Sequence, residues 1–206
     1  MSKSGVELGV ACATLPGQSE SGDRYVCETF TDGVLLALVD GIGHGPEAAV
    51  AAKTACAILK THAAEPVIAL AERCHRGLRF TRGAVMSLAA FDLKHNLLSW
   101  LGIGNVQGVM RRFGSPTDGT EELLLLRAGV VGSQLPPLQA SILSVAPGDM
   151  LVLATDGVRS GFGGGITSRE TPLRTAQAIL DRYNKQTDDA LVLVVRYQGQ
   201  LTKWKS

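Results

Sequence analysis

Apolar positions along the chain change their period several times, and each change marks an element. Residues 6–14 and 24–30 have strand-type composition and are separated by the Gly/Ser/Pro-rich stretch LPGQSESGD. GVLLALV, at 33–39, is almost continuously apolar and has the length of a strand buried on both faces. It runs directly into DGIGHGP, a loop with three glycines. Pro46 stands where the first turn of a helix tolerates proline. Residues 47–64 then read as a helix, with Val50, Ala51, Ala55, Ile58 and Leu59 on one stripe at 3.6-residue spacing. A second helix is expected from Pro66 to Gly77.

The second half is dominated by strands. Residues 84–92 and 97–102 flank the turn-like LKHN and predict a hairpin. Residues 106–113 form another strand, ended by the turn signal SPTDGT. Residues 121–127, 142–145 and 150–154 continue the β pattern, and GVVGSQLPPLQ at 129–139 is irregular. TPLRTAQAILDRYNK, at 171–185, is an amphipathic helix with Thr171 as cap and Pro172 in its first turn. The β-branched run at 190–197 is the last strand, and a mobile tail is expected at 198–206. Consecutive hairpin-like strands argue against a doubly wound parallel sheet. They predict an α+β fold in which two packed antiparallel sheets carry helices outside.

At 206 residues the chain fits one domain spanning 1–206. Its 45% hydrophobic content is enough for a core. A net charge of +1 provides no basic footprint for nucleic acid and no polybasic membrane patch. The start, MSKSGVELGVACATLPG, lacks the apolar run of a secretory signal, and no stretch approaches the ~20 apolar residues of a membrane span. A soluble, cytoplasmic protein is expected. Cys12, Cys27, Cys56 and Cys74 form no CxxC pair, so they read as buried or half-buried thiols in a reducing compartment.

Candidate chemistry sits in four aspartates at strand ends: Asp23 in SGD, Asp40 in VDGIGHG, Asp156 in ATDGV and Asp188 in TDDALVLVV. Asp40 and Asp156 each end an apolar strand and precede a glycine. One such Asp-Gly is an ordinary turn dipeptide; two in a chain this short point to two carboxylates at one edge of the core. Asp188 and Asp189 stand before a strand, and in antiparallel packing the start of one strand lies beside the end of its neighbour. Asp23 gains weight only from the others. Carboxylates so clustered raise one another's pKa or recruit cations. Two divalent ions about 3.5–4 Å apart would neutralise them and ready a water for attack on phosphorus. His44 is a candidate to protonate a leaving group, contact substrate or cap the helix that starts at Pro46. Asn105, in GIGNV, is either a turn residue or part of the site. Arg24, Arg111, Arg112 and Arg159 are possible phosphate contacts, with Arg159 nearest in sequence to Asp156. His62, His75 and His95 read as surface residues without partners.

SGD, LVDGIGHGPEAA, GIGNV, PGDMLVLATDGV and DDALVLVV occur in an order and at spacings that resemble the metal-dependent protein phosphatases, the PPM family. The resemblance covers residues 9–197 and is specific as a set rather than in any one motif. Without a sensor domain, the chain is most similar to the bacterial sporulation and stress-response branch. The resemblance implies a four-layer α-β-β-α sandwich of two antiparallel sheets flanked by helices. It implies two ions, Mn²⁺ or Mg²⁺, with Asp40 bridging them, the Gly41 carbonyl ligating one, and Asp156, Asp188 and Asp23 completing the site. It assigns a serine/threonine phosphatase whose substrates are phosphoserine or phosphothreonine proteins. In the stress-signalling branch these are STAS-domain stressosome partners, and the phosphatase acts as a negative feedback regulator. A phosphatase of an anti-sigma-factor antagonist, or a non-catalytic binding module on the same fold, are the alternatives. Two positions depart from the larger family members: Gln18 lies where they carry a phosphate-holding arginine, and Ile42 where they carry a histidine. The Gly-rich SGFGGGITS, at 160–168, is expected to be flexible at the site's edge.

Overall fold

The computed structural model describes residues 5–113 and 119–199. Most of SPTDGT and of the tail at 198–206 falls outside them. The described residues form β1 (Val6–Ala13), β2 (Asp23–Phe30), β3 (Gly33–Gly41), α1 (Pro46–Thr61), α2 (Val67–Gly77), β4 (Ala84–Asp92), β5 (Leu97–Ile103) and β6 (Gln107–Arg111). They continue with β7 (Glu121–Leu123), β8 (Leu126–Arg127), β9 (Ser141–Ser144), β10 (Met150–Ala154), α3 (Pro172–Tyr183) and β11 (Ala190–Tyr197). One sheet runs β1-β11-β10-β6-β7; the other runs β2-β3-β4-β5-β8, with β9 on β5. Pairing is antiparallel apart from the short β5–β8 ladder. Helix α3 covers β1 and β11, whereas α1 covers β2 and β3 and packs on α2. The expected four-layer sandwich is therefore present.

Period-two alternation explains the layers. On β11, Leu191, Leu193 and Val195 join the core that includes both sheets, while Ala190, Val192 and Val194 face Ile179 and Leu180 of α3. Strand β10 divides likewise, Leu151 and Leu153 from Met150, Val152 and Ala154. Strand β3 has no polar face before Asp40 near its end, because sheet and helix cover it from both sides; Val34 to Val39 are fully buried. That is why GVLLALV reads as continuous apolar sequence.

Several expectations are corrected. The buried face of α1 is Ala48, Ala49, Ala51, Ala52, Ala55, Cys56 and Leu59, and Val50 lies on the opposite, exposed side. Small side chains let this helix approach the end of β3 closely, so alanine rather than valine marks the buried stripe. Residues 121–127 are two strands, not one. The chain leaves one sheet after Leu123 and joins the other at Leu126. Cys12 is exposed, unlike the other three cysteines. The three histidines expected to lack partners have them. His75 Nδ1 accepts from the Gly132 amide at 3.0 Å, His95 meets Asp92 at 2.7 Å, and His62 meets Glu65 at 3.2 Å.

Candidate active site

Strands β2 and β3 pair so that Asp23 stands directly opposite Asp40. In the other sheet, β10 and β11 pair with Ala154 opposite Val192. Asp156, just past β10, therefore lies beside the approach to β11, where Asp188 stands. The two sheets meet at this end: Thr155 Oγ1 donates to Asp23 Oδ2 at 2.7 Å. Asp40, Asp156 and Asp188 line one cleft of about 420 Å³, together with Ile42, Gly43 and Asn105. Larger cavities of about 540 and 490 Å³ lie elsewhere and contain none of the candidate carboxylates.

The glycines after Asp40 and Asp156 serve close packing. Neither has a positive φ. A Cβ on Gly41 would lie 2.0 Å from the Ala48 carbonyl oxygen, and one on Gly157 would lie 2.0 Å from that of Asp189. Each Asp-Gly thus marks a place where the chain passes hard against another backbone. At Asp40-Gly41 this replaces the turn reading, whereas Asp156-Gly157 is also a turn, closed by the Val158 amide donating to the Thr155 carbonyl at 3.1 Å.

Opposed carboxylates on paired strands repel, and burial makes the repulsion costlier. Burial, followed by Asp23, Asp156, Asp188 and Asp189, pushes the Asp40 carboxyl up to about 9. Asp23 is raised to about 7, chiefly by burial, against the lowering effect of the Thr155 hydrogen bond. Asp156 is raised by burial and by Asp188, while Lys185 and Asn105 oppose the shift. Among the described residues, no donor or basic group pairs with the Asp40 carboxylate.

These are hard oxygen donors, the chemistry that suits Mg²⁺ or Mn²⁺ rather than a thiophilic metal. The unpartnered Asp40 facing Asp23 is where an added cation would relieve the most repulsion, so the donor set fits the expected ions. Among the described residues, no three His, Cys, Asp or Glu are already drawn into a single coordination shell.

Around the acids lies a supporting frame: the sequence points to Asp189 and Asn105 as candidates, but not to Thr155. Asp189 is buried and accepts from the amides of Leu15 at 2.8 Å and Gly22 at 2.7 Å. It therefore ties the segment before β2 to the start of β11. The Thr155 hydroxyl accepts from the Leu191 amide at 2.8 Å while donating to Asp23. Asn105 Nδ2 donates to Asp156 Oδ2 at 2.8 Å, which places Asn105 at the site rather than in a mere turn. Two basic residues stand at the rim. Lys185 is close enough to Asp156 to lower its pKa. Arg82 pairs with Glu47, and its Nη1 lies 2.8 Å from where a Cβ on Gly43 would be.

Other candidates are placed differently. His44 is exposed and does not line the cleft, and the N-cap of α1 is Gly45 without a side-chain cap. Arg159 is exposed and donates to the Arg182 carbonyl at the end of α3. Arg24 is held by Glu20 and by the carbonyls of Ser21 and Asp23. Arg111 faces Glu121, and Arg112 faces Glu122 and Asp149.

A family model described as Stage II sporulation protein E (SpoIIE) matches residues 31–198. The chain belongs to the SpoIIE family. Phosphoserine phosphatase RsbX of Bacillus subtilis (strain 168) is 22% identical to it over 142 residues, 69% of each chain. A solved structure described as "The bacterial stressosome: a modular system that has been adapted to control secondary messenger signaling" aligns with TM-score 0.83 and 29% identity, covering 93% of this chain and 99% of the other. RsbX in complex with magnesium aligns with TM-score 0.82 and 19% identity, over 93% and 94%. The serine/threonine phosphatase PstP/Ppp of Mycobacterium tuberculosis aligns with TM-score 0.73 and 14% identity, over 94% and 99%. The PPM resemblance read from the motifs holds, and this SpoIIE-family chain is a protein serine/threonine phosphatase of the RsbX/SpoIIE type. No helix among the described residues is long and apolar enough to cross a membrane.

Proposed function

We propose that this SpoIIE-family chain is one domain that hydrolyses phosphoserine or phosphothreonine on a partner protein, using two divalent ions, Mn²⁺ or Mg²⁺. Asp23, Asp40, Asp156, Asp188 and the Gly41 carbonyl are the proposed ligands, with Asp40 and Asp156 essential to catalysis. The observation that carries this reading is Asp40: half-buried, opposite Asp23 in register, facing the cleft with Asp156 and Asp188, and given no counter-charge among the described residues. Bound divalent ions supply Lewis acidity there, neutralising the carboxylates and making water nucleophilic at neutral pH. The chain's own part is positioning. Asn105 fixes the Asp156 carboxylate, Thr155 fixes Asp23, and Asp189 holds the loop before Asp23. Arg82, which approaches Gly43, and Lys185, which acts on Asp156, are basic groups suited to meet phosphate oxygens. Hydrolysis places the oxygen of water on phosphorus and breaks the P–O bond to the seryl or threonyl oxygen, which leaves as the alcohol.

The partner we favour is a STAS-domain protein of a cytoplasmic stress-signalling complex, with dephosphorylation acting as negative feedback. The named RsbX relative and the stressosome structure support that choice. An anti-sigma-factor antagonist would use the same chemistry with a different docking partner.

Phosphate release from a phosphorylated STAS-domain protein, measured with Mn²⁺, with Mg²⁺ and with chelator, tests the reading. Turnover is expected only with metal. Asp40→Asn and Asp156→Asn are expected to lower kcat/KM by on the order of a thousandfold. Full turnover in either variant, with metal binding unchanged by calorimetry, would refute the assignment.

A further inference from the structure

An acidic cleft leaves recognition of a protein substrate to its rim. From the end of α2 to the start of β4 the chain reads RCHRGLRFTRG, at 73–83, with an arginine at every third position and no Asp or Glu. In a chain of net charge +1 this is a strong local excess. Arg73 is committed to Glu65 through two hydrogen bonds of 3.1 and 2.7 Å. Arg76 and Arg79 are exposed and have no ion-pair partner among the described residues. Between them and Arg82 stands Phe80, with a relative exposure of 102%.

The segment is built rather than slack. Leu78 is fully buried, and its carbonyl accepts from both the amide and the hydroxyl of Thr81, at 2.9 and 2.8 Å. Thr81 Oγ1 in turn accepts from the Gly83 amide at 3.0 Å. The Gly83 carbonyl accepts from the Ile42 amide at 3.0 Å, which couples this turn directly to the loop that follows Asp40. The fold thus holds a whole phenyl ring in water on the same short segment as Arg76 and Arg79, whose guanidinium groups carry no ion pair among the described residues. The row ends at the cleft, where Arg82 packs against Gly43.

We propose that Arg76, Arg79 and Phe80, with Arg82 at the cleft end, form the docking ridge for a phosphoprotein substrate that carries acidic side chains beside its phosphorylated residue. The inference rests on the phosphatase reading of the cleft. Aromatic and arginine side chains are the types that anchor protein interfaces, and a cationic row complements a segment bearing phosphate and carboxylates. A protein is favoured over an anionic membrane because the ridge is continuous with the cleft. An occupant of the ridge is delivered to Asp40, whereas a flat lipid surface would have no use for that connection.

The test compares wild type, R76E/R79E and Phe80→Ala on an acid-flanked phosphoserine peptide, a lysine-flanked one and p-nitrophenyl phosphate. The last is too small to reach from the cleft to Phe80, so it normalises each enzyme. Wild type is expected to prefer the acid-flanked peptide by about tenfold in kcat/KM, mostly through KM, with the preference shrinking as salt rises. R76E/R79E is expected to lose or invert it, and Phe80→Ala to raise KM on both peptides. Binding of the acid-flanked peptide is followed in parallel by fluorescence polarisation. Turnover in which binding and preference ignore these substitutions overturns the ridge. So does ridge-dependent sedimentation with phosphatidylserine vesicles and no effect on peptides. Ridge-dependent binding without any turnover overturns the phosphatase reading instead and leaves the ridge standing.

Discussion

Strand β10 has an aspartate just outside each end, and the protein treats the two in opposite ways. Asp149, before the strand, is 2% exposed and accepts from Arg112 Nη1 at 2.9 Å and from the amides of Phe113 and Ala146 at 3.0 Å each. Arg112 is shared with Glu122 at 2.8 Å. Asp156, after the strand, has one neutral donor, Asn105, and no ion pair among the described residues; Asp188 raises its pKa and Lys185 only partly opposes that. A buried charge is costly unless paired. At one end the chain supplies the pairing itself; at the other, among the described residues, acid outweighs base, an excess that a cation from solution would balance. Burial and proximity alone do not distinguish these roles. Asp189 sits within the acidic cluster yet is satisfied by two backbone amides, so it belongs with Asp149 as part of the frame.

The sharpest way to break this comparison is to vary pH with metal removed. Burial and neighbouring acids raise Asp40 to about 9 and Asp23 to about 7, far above the ordinary aspartate value of about 3.9. Folded protein therefore holds protons that the unfolded chain has already released, and stability falls as pH climbs through that window. Below the unfolded value both states are protonated and the difference vanishes. Thermal melts in chelator are expected to drop by several degrees from about pH 5 to about pH 9. Asp40→Asn should flatten that slope and raise the melting point at the alkaline end. Added Mg²⁺ should oppose the slope, since ligands bind metal only once deprotonated. An unchanged slope in Asp40→Asn would show that Asp40 is not the strained acid.

At the satisfied end the same kind of change has the reverse sign. Arg112→Ala removes the one cation from a buried carboxylate and is expected to destabilise by about 3 kcal/mol in chemical denaturation, metal or no metal. Asn105→Ala separates positioning from folding. It should cost about 10- to 100-fold in kcat/KM or metal affinity, the usual effect of losing a group that orients a ligand. The denaturation midpoint should move little. A large stability loss in Asn105→Ala would place Asp156 with the framework acids.

Much of this contrast was legible before any coordinates. Asp40 and Asp156 announce themselves because each ends an apolar strand, and Asp188 because antiparallel strands bring starts beside ends. The acids that are satisfied were not separable in the same way. Asp189 and Asp149 look like their neighbours until the amides of Leu15, Gly22, Phe113 and Ala146 are placed around them. Thr155 and Asp23 are 132 positions apart, so no local pattern joins them. The stripe through Val50 failed for a related reason: a helix packed by alanines shows little contrast between its faces. Arg82 carries no local signal, since the fold brings it beside Gly43 through a turn bonded to Ile42, 40 positions away in sequence from Arg82.

The smallest expected effect concerns His44, four residues from Asp40 in the same loop. If closeness in sequence to Asp40 conferred a role, His44→Ala would lower kcat and remove one limb of the pH–rate profile, as loss of a general acid does. The geometry argues otherwise. The loop turns at Gly43, which lines the cleft, and His44 beyond it is exposed, with Gly45 capping the helix. His44→Ala is therefore expected to change kcat/KM by about twofold or less, the range of an ordinary surface substitution. Measured across pH on p-nitrophenyl phosphate, the profile should keep its shape. A lost limb would mean that the loop brings the imidazole to the leaving group once substrate is bound.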